Sequence, residues 1–396
     1  MELLEPKSPP PKKRPNLFVR FLAFLTTLAL VAGAVFLVAN RDKYNLDSLR
    51  RWISYLGVER SESGQTDSFS YEGGSANSFA SLDGGLLVCS PSSIQLYSPG
   101  GELVLSKTVS TMENPVIDAN EHTALVYDAG GRDLFVFSGT EEVFSLSLEE
   151  GESLLSARIN DNGYIAVTAQ TSGYKGAVTV YDPSYSPKLR ISLSSRFVTD
   201  AVVSPSGDAV ALLTLGLDSS TFGTQLELYR TNRGEEDVEP DYTAQVGNDV
   251  ILDLSWESDG IWLVGESTLS VYSSKAERTG FYDYSGSYLK NYSLDASGCA
   301  VLLLGKYRAG SDAVLRTVDG AGEVMAEHSY GEQVLSLSAK GNYIAVLTAG
   351  KLEIFTRDLD SYRSLDTTQG ARRVLQRADG STLLLNADSA HLYVPN

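Results

Sequence analysis

The sequence is poor in the residues from which most catalytic and metal centres are built. Its 396 residues include only two cysteines and three histidines. Two cysteines exclude a disulfide-dense scaffold and a cysteine-rich zinc module. His122, His328 and His391 are far apart in the sequence, and no G-x-S-x-G, H-E-x-x-H or C-x-x-C motif is present. The sequence therefore favours a protein with no cofactor, no metal site and no catalytic residue, although a Ser/His/Asp triad assembled in space stays open.

Positive charge is also scarce over most of the chain. The sequence has 32 Lys and Arg against 50 Asp and Glu, a formal net charge of −18. Residues 1–56 hold nine basic and four acidic residues, a net charge of +5, so residues 57–396 carry −23. A body this acidic is repelled by phosphate backbones. We therefore expect no nucleic-acid partner.

One long apolar run stands near the N-terminus. Residues 21–39 have no charged residue, and two threonines are their only polar interruptions. A helix of this length covers the roughly 30 Å hydrocarbon core of a bilayer. Five basic residues precede the run, and the positive-inside rule places them in the cytoplasm. We expect a single-pass protein of the cell membrane, with the Pro-rich tail 1–20 cytoplasmic, residues 21–39 in the lipid bilayer and the remainder extracytoplasmic. A cleaved signal peptide is the alternative, because residues 32–34 read Ala-Gly-Ala.

Residues 40–68 predict a short helix followed by a linker. Leu46, Leu49, Trp52 and Ile53 recur at helical spacing, which indicates an amphipathic helix that lies on the outer headgroup surface or serves as a spacer. Four basic residues after the apolar run, at positions 41, 43, 50 and 51, compete with the orientation proposed above. Residues 57–68 contain almost nothing apolar and predict a flexible linker.

A repeat of about 41 residues organises the rest of the chain, residues 69–396. Eight short apolar runs recur there, each preceded by a turn signal such as Asp83-Gly84 and followed by an alternating strand. Four short antiparallel strands per repeat are typical of a propeller blade. The last repeat has only three strands, and residues 69–71 can supply its missing outer strand. We predict an all-β fold, a β-propeller of eight blades, with seven blades as the alternative.

Two features carry a resemblance to known proteins. The stretch 204–211, which reads SPSGDAVA, resembles the strand–turn–strand hairpin of WD-repeat and quinoprotein-like propellers. The order of basic tail, single span and acidic propeller resembles an uncharacterised family of bacterial membrane-anchored propeller proteins. The resemblance covers residues 69–396 and implies a tethered propeller. The sequence departs from a standard WD-repeat ring and from quinone-cofactor dehydrogenases, because tryptophan occurs only at positions 52, 256 and 262.

Three loops between the second and third strands of a blade are predicted to be long, at residues 170–176, 215–223 and 306–312. Propeller geometry places loops of this class on one face, around the mouth of the central channel. They bear aromatic and basic residues that are unusual in so acidic a body and favour partner recognition. Variation in loop length without function is the alternative. The candidate partner-binding residues are Tyr174, Lys175, Phe222, Lys306, Tyr307 and Arg308.

Three further groups have simpler interpretations. An aromatic cluster, with members at positions 281, 282, 284, 288 and 292, fits strand packing or a patch for sugars or peptides. The acidic run 235–241 matches no known calcium loop and is interpreted as a solvated excursion. Cys89 and Cys299 are predicted to be buried free thiols.

The sequence thus favours a non-catalytic, extracytoplasmic module that binds a protein or a cell-envelope component on the face with the long loops. One alternative is a hydrolase or lyase that processes glycans with carboxylates at the channel mouth. The other is a structural spacer.

Overall fold

The computed structural model describes residues 21–22, 24–28, 30–32, 46–218, 221–234 and 239–395. The chain divides into two compact units, Met1–Ile53 and Ser54–Asn396. The described residues between 21 and 32 are helical, and α1 (Leu46–Ser54) confirms the predicted short helix. The tail 1–20 and residues 33–45 lie outside the described residues, as do two further positions of the run 21–39, 23 and 29.

Within the described residues of the second unit, thirty-two strands form eight four-stranded antiparallel sheets. Blade 1 consists of β2 (Ser78–Leu82), β3 (Gly85–Cys89), β4 (Ser93–Tyr97) and β5 (Leu103–Thr108). Blade 2 consists of β6 (Pro115–Ala119), β7 (Thr123–Asp128), β8 (Asp133–Ser138) and β9 (Glu141–Ser147). Blade 3 consists of β10 (Ser153–Ile159), β11 (Ile165–Gln170), β12 (Gly176–Tyr181) and β13 (Pro187–Leu193). Blade 4 consists of β14 (Phe197–Val203), β15 (Ala209–Asp218), β16 (Thr221–Arg230) and β17 (Tyr242–Gly247).

The remaining blades follow the same plan. Blade 5 consists of β18 (Ile251–Glu257), β19 (Gly260–Gly265), β20 (Thr268–Tyr272) and β21 (Arg278–Asp283). Blade 6 consists of β22 (Tyr288–Ser293), β23 (Cys299–Gly305), β24 (Ala313–Asp319) and β25 (Val324–Tyr330). Blade 7 consists of β26 (Val334–Lys340), β27 (Tyr343–Thr348), β28 (Leu352–Thr356) and β29 (Ser361–Leu365). Blade 8 consists of β30 (Arg373–Gln376), β31 (Thr382–Leu385), β32 (Ser389–Tyr393) and β1 (Phe69–Ser70).

The predicted eight-bladed propeller is therefore confirmed. First strands of successive blades contact each other, as β10 does with β14 and β26 with β30, so the first strands line a central channel. Second strands such as β3 and β19 are buried along their whole length. This explains why they read as continuous apolar runs rather than as alternating ones.

The apolar core lies between the blades. Eight clusters of buried side chains are present, and each joins two successive blades around the ring. Cys89 lies between blades 1 and 2 and Cys299 between blades 6 and 7, both as free buried thiols, as predicted. Burial raises the pKa of Cys89 to about 12 and that of Cys299 to about 11, so neither thiol forms a thiolate near neutral pH.

Blade 8 closes the ring with strands from both ends of the propeller. Phe69 and Ser70 of β1 pair with Ala390 and Ser389 of β32, which confirms that residues near the start of the repeat region complete the last blade. The residues just before β1 continue this contact. The Thr66 amide donates to the Leu392 carbonyl (2.9 Å), and the Val394 amide donates to the Gly64 carbonyl (2.9 Å). Part of the predicted flexible linker is thus ordered against β32, because its backbone groups form hydrogen bonds with the edge of that strand.

The hairpins between first and second strands turn where the sequence predicts them. Gly207, in the stretch 204–211, has φ of 71°, which glycine adopts without strain. Its neighbourhood also requires a residue without a side chain, because a Cβ there would collide with the Tyr164 ring of blade 3. Side-chain amides tie such hairpins together. The Asn120 amide donates to the Asn160 carbonyl (3.0 Å), and the Asn160 amide donates to the Ser204 carbonyl (2.8 Å).

Candidate functional site

Strand direction places all six candidate residues at one end of the propeller. In each blade the first strand begins beside the end of the second, as Ser153 pairs with Gln170 in blade 3. The loops between second and third strands therefore share one face with the connections between blades. We call this end the upper face, and the opposite end, with the first-to-second-strand hairpins, the lower face.

Tyr174 and Lys175 lie in the loop between β11 and β12. The Tyr174 side chain is exposed, whereas the Lys175 ammonium group reaches the next blade. There it donates to the Ser195 carbonyl (2.8 Å) and lies 5.0 Å from the centre of the Phe197 ring. This cation–π contact joins blades 3 and 4 at the upper face and leaves the Tyr174 ring free to contact a partner.

Phe222 lies in a strand, and the predicted loop at 215–223 is wrong. Strands β15 and β16 continue into this region, with Leu217 paired to Phe222. Both side chains are exposed, at 63% and 58%. The Arg196 guanidinium group supports the extended hairpin, since it donates to the Thr214 hydroxyl (3.0 Å) and to the Gly223 carbonyl. Leucine alternates with small residues from position 213 to 217, a pattern that indicates a strand. The glycines at 216 and 223 and the serines at 219 and 220 made the same segment resemble a loop.

Lys306, Tyr307 and Arg308 lie in the predicted long loop between β23 and β24. The Lys306 ammonium group is 5.3 Å from the centre of the Tyr307 ring, which is 58% exposed. The Lys290 ammonium group donates to the Gly310 carbonyl and so ties the loop to the first strand of its own blade. Arg308 lines a cavity of about 830 Å³ that opens on the upper face among blades 5, 6 and 7.

The structure thus separates the six residues into two groups on one face. Tyr174, Lys175 and Phe222 belong to blades 3 and 4, whereas residues 306–308 belong to blade 6. Exposed apolar residues of blade 5, Val250 and Leu252, lie between them.

A set of bulged leucines around the channel mouth was not predicted. In blades 3 to 7 the pairing of the first strand shifts register close to the upper face, which leaves one residue unpaired. A bulge of this kind re-aims the side chain of the extra residue. Leu155, Leu252 and Leu335 occupy this position in blades 3, 5 and 7, and each is about 40% exposed (39%, 45% and 39%).

Deeper in the channel, charged side chains link the first strands. The Arg158 guanidinium group of blade 3 donates to Asp200 of blade 4 (2.7 Å) and to Asp253 of blade 5 (2.8 Å). Burial lowers the pKa of Arg158, but the two carboxylates outweigh it and the net pKa is raised, so the group stays charged. Burial also raises the pKa of Asp253 despite the attraction of Arg158. The arrangement connects three blades, and it uses both carboxylates to hold a cation of the chain itself.

The other groups named from sequence do not form a common site. The five aromatic residues between 281 and 292 separate: Tyr284 is buried and donates to the Gly265 carbonyl (2.6 Å), whereas Phe281 and Tyr288 are exposed in different blades. His122 contacts Asp83 at the lower face, His328 makes an edge contact with the Tyr330 ring and a tilted contact with the Phe355 ring, and His391 is fully buried. Of the acidic run, Asp241 pairs with Arg230 (2.7 Å), while residues 235–238 lie outside the described residues.

Residues 60–385 match the sequence model of a protein family, DUF5711, which is described as a family of unknown function. The chain belongs to the DUF5711 family. No curated protein matches this DUF5711 chain in sequence. Among the residues that the structure describes, no helix is both long enough and apolar enough to cross a membrane.

Solved structures resemble the DUF5711 propeller in fold. The C-terminal WD40 domain of Sif2 matches with a TM-score of 0.56 and 10% sequence identity, over 85% of this chain and 98% of that one. The Dos1 propeller matches with a TM-score of 0.53 and 10% identity, over 84% and 95% of the two chains. The quinohemoprotein alcohol dehydrogenase ADHIIG from Pseudomonas putida HK5 matches with a TM-score of 0.52 and 8% identity, over 85% and 78%. At these identities the likeness shows the β-propeller fold and no more.

Proposed function

We propose that this DUF5711 chain is a membrane-tethered, extracytoplasmic interaction module that binds a protein or a cell-envelope component on its upper face and catalyses no reaction. The propeller fold supports a role in protein interaction in general. The proposal adds the face, the residues and the compartment. The chain beyond residue 56 carries a net charge of −23, and this acidity argues against a nucleic-acid partner.

The distribution of exposed apolar side chains carries the proposal. Among the described residues of the propeller, eighteen large hydrophobic side chains are exposed, and eleven of them lie on the upper face. The other seven lie on outer strands at the rim, and none lies in a lower-face hairpin. Exposed apolar groups concentrated on one face are typical of a docking surface. The upper-face members are Leu155, Tyr174, Phe197, Leu215, Leu217, Phe222, Val250, Leu252, Tyr288, Tyr307 and Leu335.

The aromatic groups are mounted on well-supported elements. Phe222 is on a paired strand beside the Arg196 contacts, and the neighbour of Tyr174, Lys175, is bonded to the next blade. Aromatic side chains held in this way lose little conformational entropy on binding and act as anchors in protein interfaces.

The hydrolase alternative lacks support in the channel. Glycoside cleavage needs two carboxyl groups that flank the scissile bond. Asp200 and Asp253 share the cation Arg158, and the lining of the 830 Å³ cavity includes a single carboxylate, Glu266. The non-catalytic function is therefore the better account of these residues.

Photo-crosslinking on the intact chain in cells tests the binding face. A photoreactive phenylalanine analogue at position 222 or 307 should crosslink to a partner, whereas the same analogue at position 242 should not. Tyr242 is a matched control because it is an exposed aromatic residue on an outer strand. Replacing Tyr174, Tyr307 and Arg308 together should abolish the crosslink at position 222 and leave the melting temperature unchanged. Equal crosslinking from positions 222 and 242 would reject the assignment of the upper face.

The compartment has a separate test. Ser63 is exposed, and the two native cysteines are buried, so Ser63→Cys introduces one reactive thiol. An impermeant maleimide should label this variant in whole cells and should label Ser8→Cys only after lysis. The reverse pattern would place the propeller in the cytoplasm.

A further inference from the structure

The cavity among blades 5, 6 and 7 differs chemically from the apolar surface around it. Its walls include the loop between β19 and β20, the connection into β22, the long loop of blade 6 and the connection into β26. These place Ser267, Ser287, Tyr288 and Arg308 around one space of about 830 Å³. That volume lies in the range of pockets that bind small molecules.

Several polar groups of this cavity have no protein partner. Among the residues that the structure describes, the side chains of Glu266, Arg308 and Gln333 make no hydrogen bond or ion pair. The Tyr288 ring is 49% exposed at the same opening. Lys290 differs, because its ammonium group is bonded to the Gly310 carbonyl and holds the loop that carries Arg308. The cavity therefore combines the face of an aromatic ring with side-chain hydrogen-bond donors and acceptors that have no partner among the described residues.

The charge of the cavity is opposite to that of the body. Its lining includes two cations, Lys290 and Arg308, and one carboxylate, Glu266, a net charge of +1. The chain beyond residue 56 carries −23. A local excess of positive charge in so acidic a body favours an anionic ligand, and a planar guanidinium group suits bidentate pairing with a carboxylate or a phosphate.

We propose that this cavity binds an anionic sugar. The exposed Tyr288 ring packs on the apolar face of the sugar ring, and Arg308 pairs with its carboxylate or phosphate group. The amide of Gln333 and the hydroxyls of Ser267 and Ser287 hydrogen-bond to the sugar hydroxyls. This inference rests on the proposed function, since it specifies the chemistry of one ligand of the upper face.

Calorimetric titration of the full-length protein in detergent micelles tests the proposal with three probes. The first is a tetrasaccharide of alternating glucuronate and N-acetylglucosamine, the second is neutral chitotetraose, and the third is glycerol 3-phosphate. We expect at least one anionic probe to bind at least tenfold more tightly than chitotetraose. Preference for the first or the third probe distinguishes a carboxylated sugar from a phosphorylated polyol.

Two variants separate the site from the general charge of the protein. Arg308→Gln should weaken binding of the anionic probe at least tenfold, and Tyr288→Ala should weaken both tetrasaccharides. Lys275→Gln is the control, because Lys275 is an exposed cation in the turn between β20 and β21 that does not line the cavity, and it should change affinity less than twofold. Melting curves of all three variants should coincide with that of the unmodified protein.

Equal affinity for charged and neutral probes, equal effects of Arg308→Gln and Lys275→Gln, or no binding of any probe would overturn the inference. A different result, equal crosslinking from positions 222 and 242, would reject the proposed function. A protein crosslinked at position 222 together with no sugar binding would reject the cavity ligand alone.

Discussion

Blades 3 to 7 differ from blades 8, 1 and 2 in how their first strands meet the upper face. The first strands of blades 3 to 7 each contain a bulge there, whereas those of blades 1, 2 and 8 pair without a register shift. All eleven exposed apolar side chains of the upper face belong to the bulged blades. Blades 8 and 1 instead bury Tyr55, which lies before the repeat region.

The regular side of the ring is where the propeller closes. Tyr55 is buried against blade 8, hydrogen-bonds to the Ser381 hydroxyl (2.9 Å) and has a pKa raised by burial to about 12. The Phe69 ring stacks on Tyr97 of blade 1 at 5.1 Å between ring centres. The ring thus contains two kinds of blade: blades 8 and 1 secure the ends of the propeller, and blades 3 to 7 expose apolar groups on the upper face.

The largest expected effect comes from removing the cation that joins blades 3, 4 and 5. Arg158→Ala leaves Asp200 and Asp253 close together without their shared partner and should lower the free energy of unfolding by about 4 kcal/mol. The loss should be smaller at pH 5 than at pH 8, because burial raises the pKa of Asp253 and protonation of that carboxyl group relieves the repulsion. Urea unfolding of the variant and of the unmodified protein at both pH values measures the loss in free energy of unfolding.

Arg190→Ala is the control for this change. Arg190 lies in the same blade, its ion pair with Glu152 is long (3.9 Å) and its own side chain is 56% exposed, so its loss should cost less than about 1 kcal/mol. Equal losses for the two variants would show that the channel network does not hold the bulged blades together.

A leucine of the closing blade should matter slightly less. Leu392 is fully buried between blades 8 and 1, so Leu392→Ala removes packed apolar atoms and should cost about 3 kcal/mol. The Thr66 amide, bonded to the Leu392 carbonyl, should lose protection in hydrogen exchange at the same time. Unchanged hydrogen exchange at Thr66 would show that the order of the N-terminal segment does not depend on the stability of blade 8.

The sequence predicts the repeating parts of this structure and misses those that break the repeat. Turn signals and apolar second strands recur in every blade, so their period of about 41 residues predicted eight blades and the contribution of residues 69–71 to the last one. The bulge at Leu155 depends on which residue of β11 pairs with Ser156, and a single strand does not reveal that register. The bonds of Gly64 and Thr66 to β32 join residues more than 300 positions apart.

The candidate site was predicted in part for the same reason. Loop length identified Arg308 and Tyr307 on the upper face, because that signal is local. The cavity also needs Glu266 from blade 5 and Gln333 from the connection to blade 7, and no local pattern links these residues. Phe222 was named correctly as exposed but was assigned to a loop, since strand extension there is set by its pairing with Leu217.

A smaller, pH-dependent effect is expected from His391 in the closing blade. Its ring is fully buried and neither nitrogen has a partner among the described residues, so burial lowers its pKa below the usual 6.5. In the unfolded chain the residue binds a proton as the pH falls below about 6.5, whereas in the folded protein it stays neutral longer. Acidification from pH 7.5 to 5.5 should therefore lower the free energy of unfolding by about 1 kcal/mol through this residue alone.

His391→Phe isolates that contribution. Phe135 occupies the corresponding pairing position in blade 2, so an aromatic ring without a titrating group fits this place in a blade. The difference in unfolding free energy between the variant and the unmodified protein should shift by about 1 kcal/mol between the two pH values in favour of the variant. A constant difference would show that His391 titrates alike in both states.

The smallest effect on stability is expected where the bulged leucines are changed. Leu155, Leu252 and Leu335 are each about 40% exposed (39%, 45% and 39%), so replacing any one of them by serine removes only part of the buried apolar area of a core leucine. Each single change should lower the free energy of unfolding by about 1 kcal/mol, in contrast to the larger loss expected at Leu392. Partner crosslinking from position 222 should nevertheless fall severalfold, because the leucines form part of the proposed docking surface. If any of these single variants unfolded as readily as Leu392→Ala, the bulges would be part of the packed core, and the contrast between the bulged blades and the closing blades would be wrong.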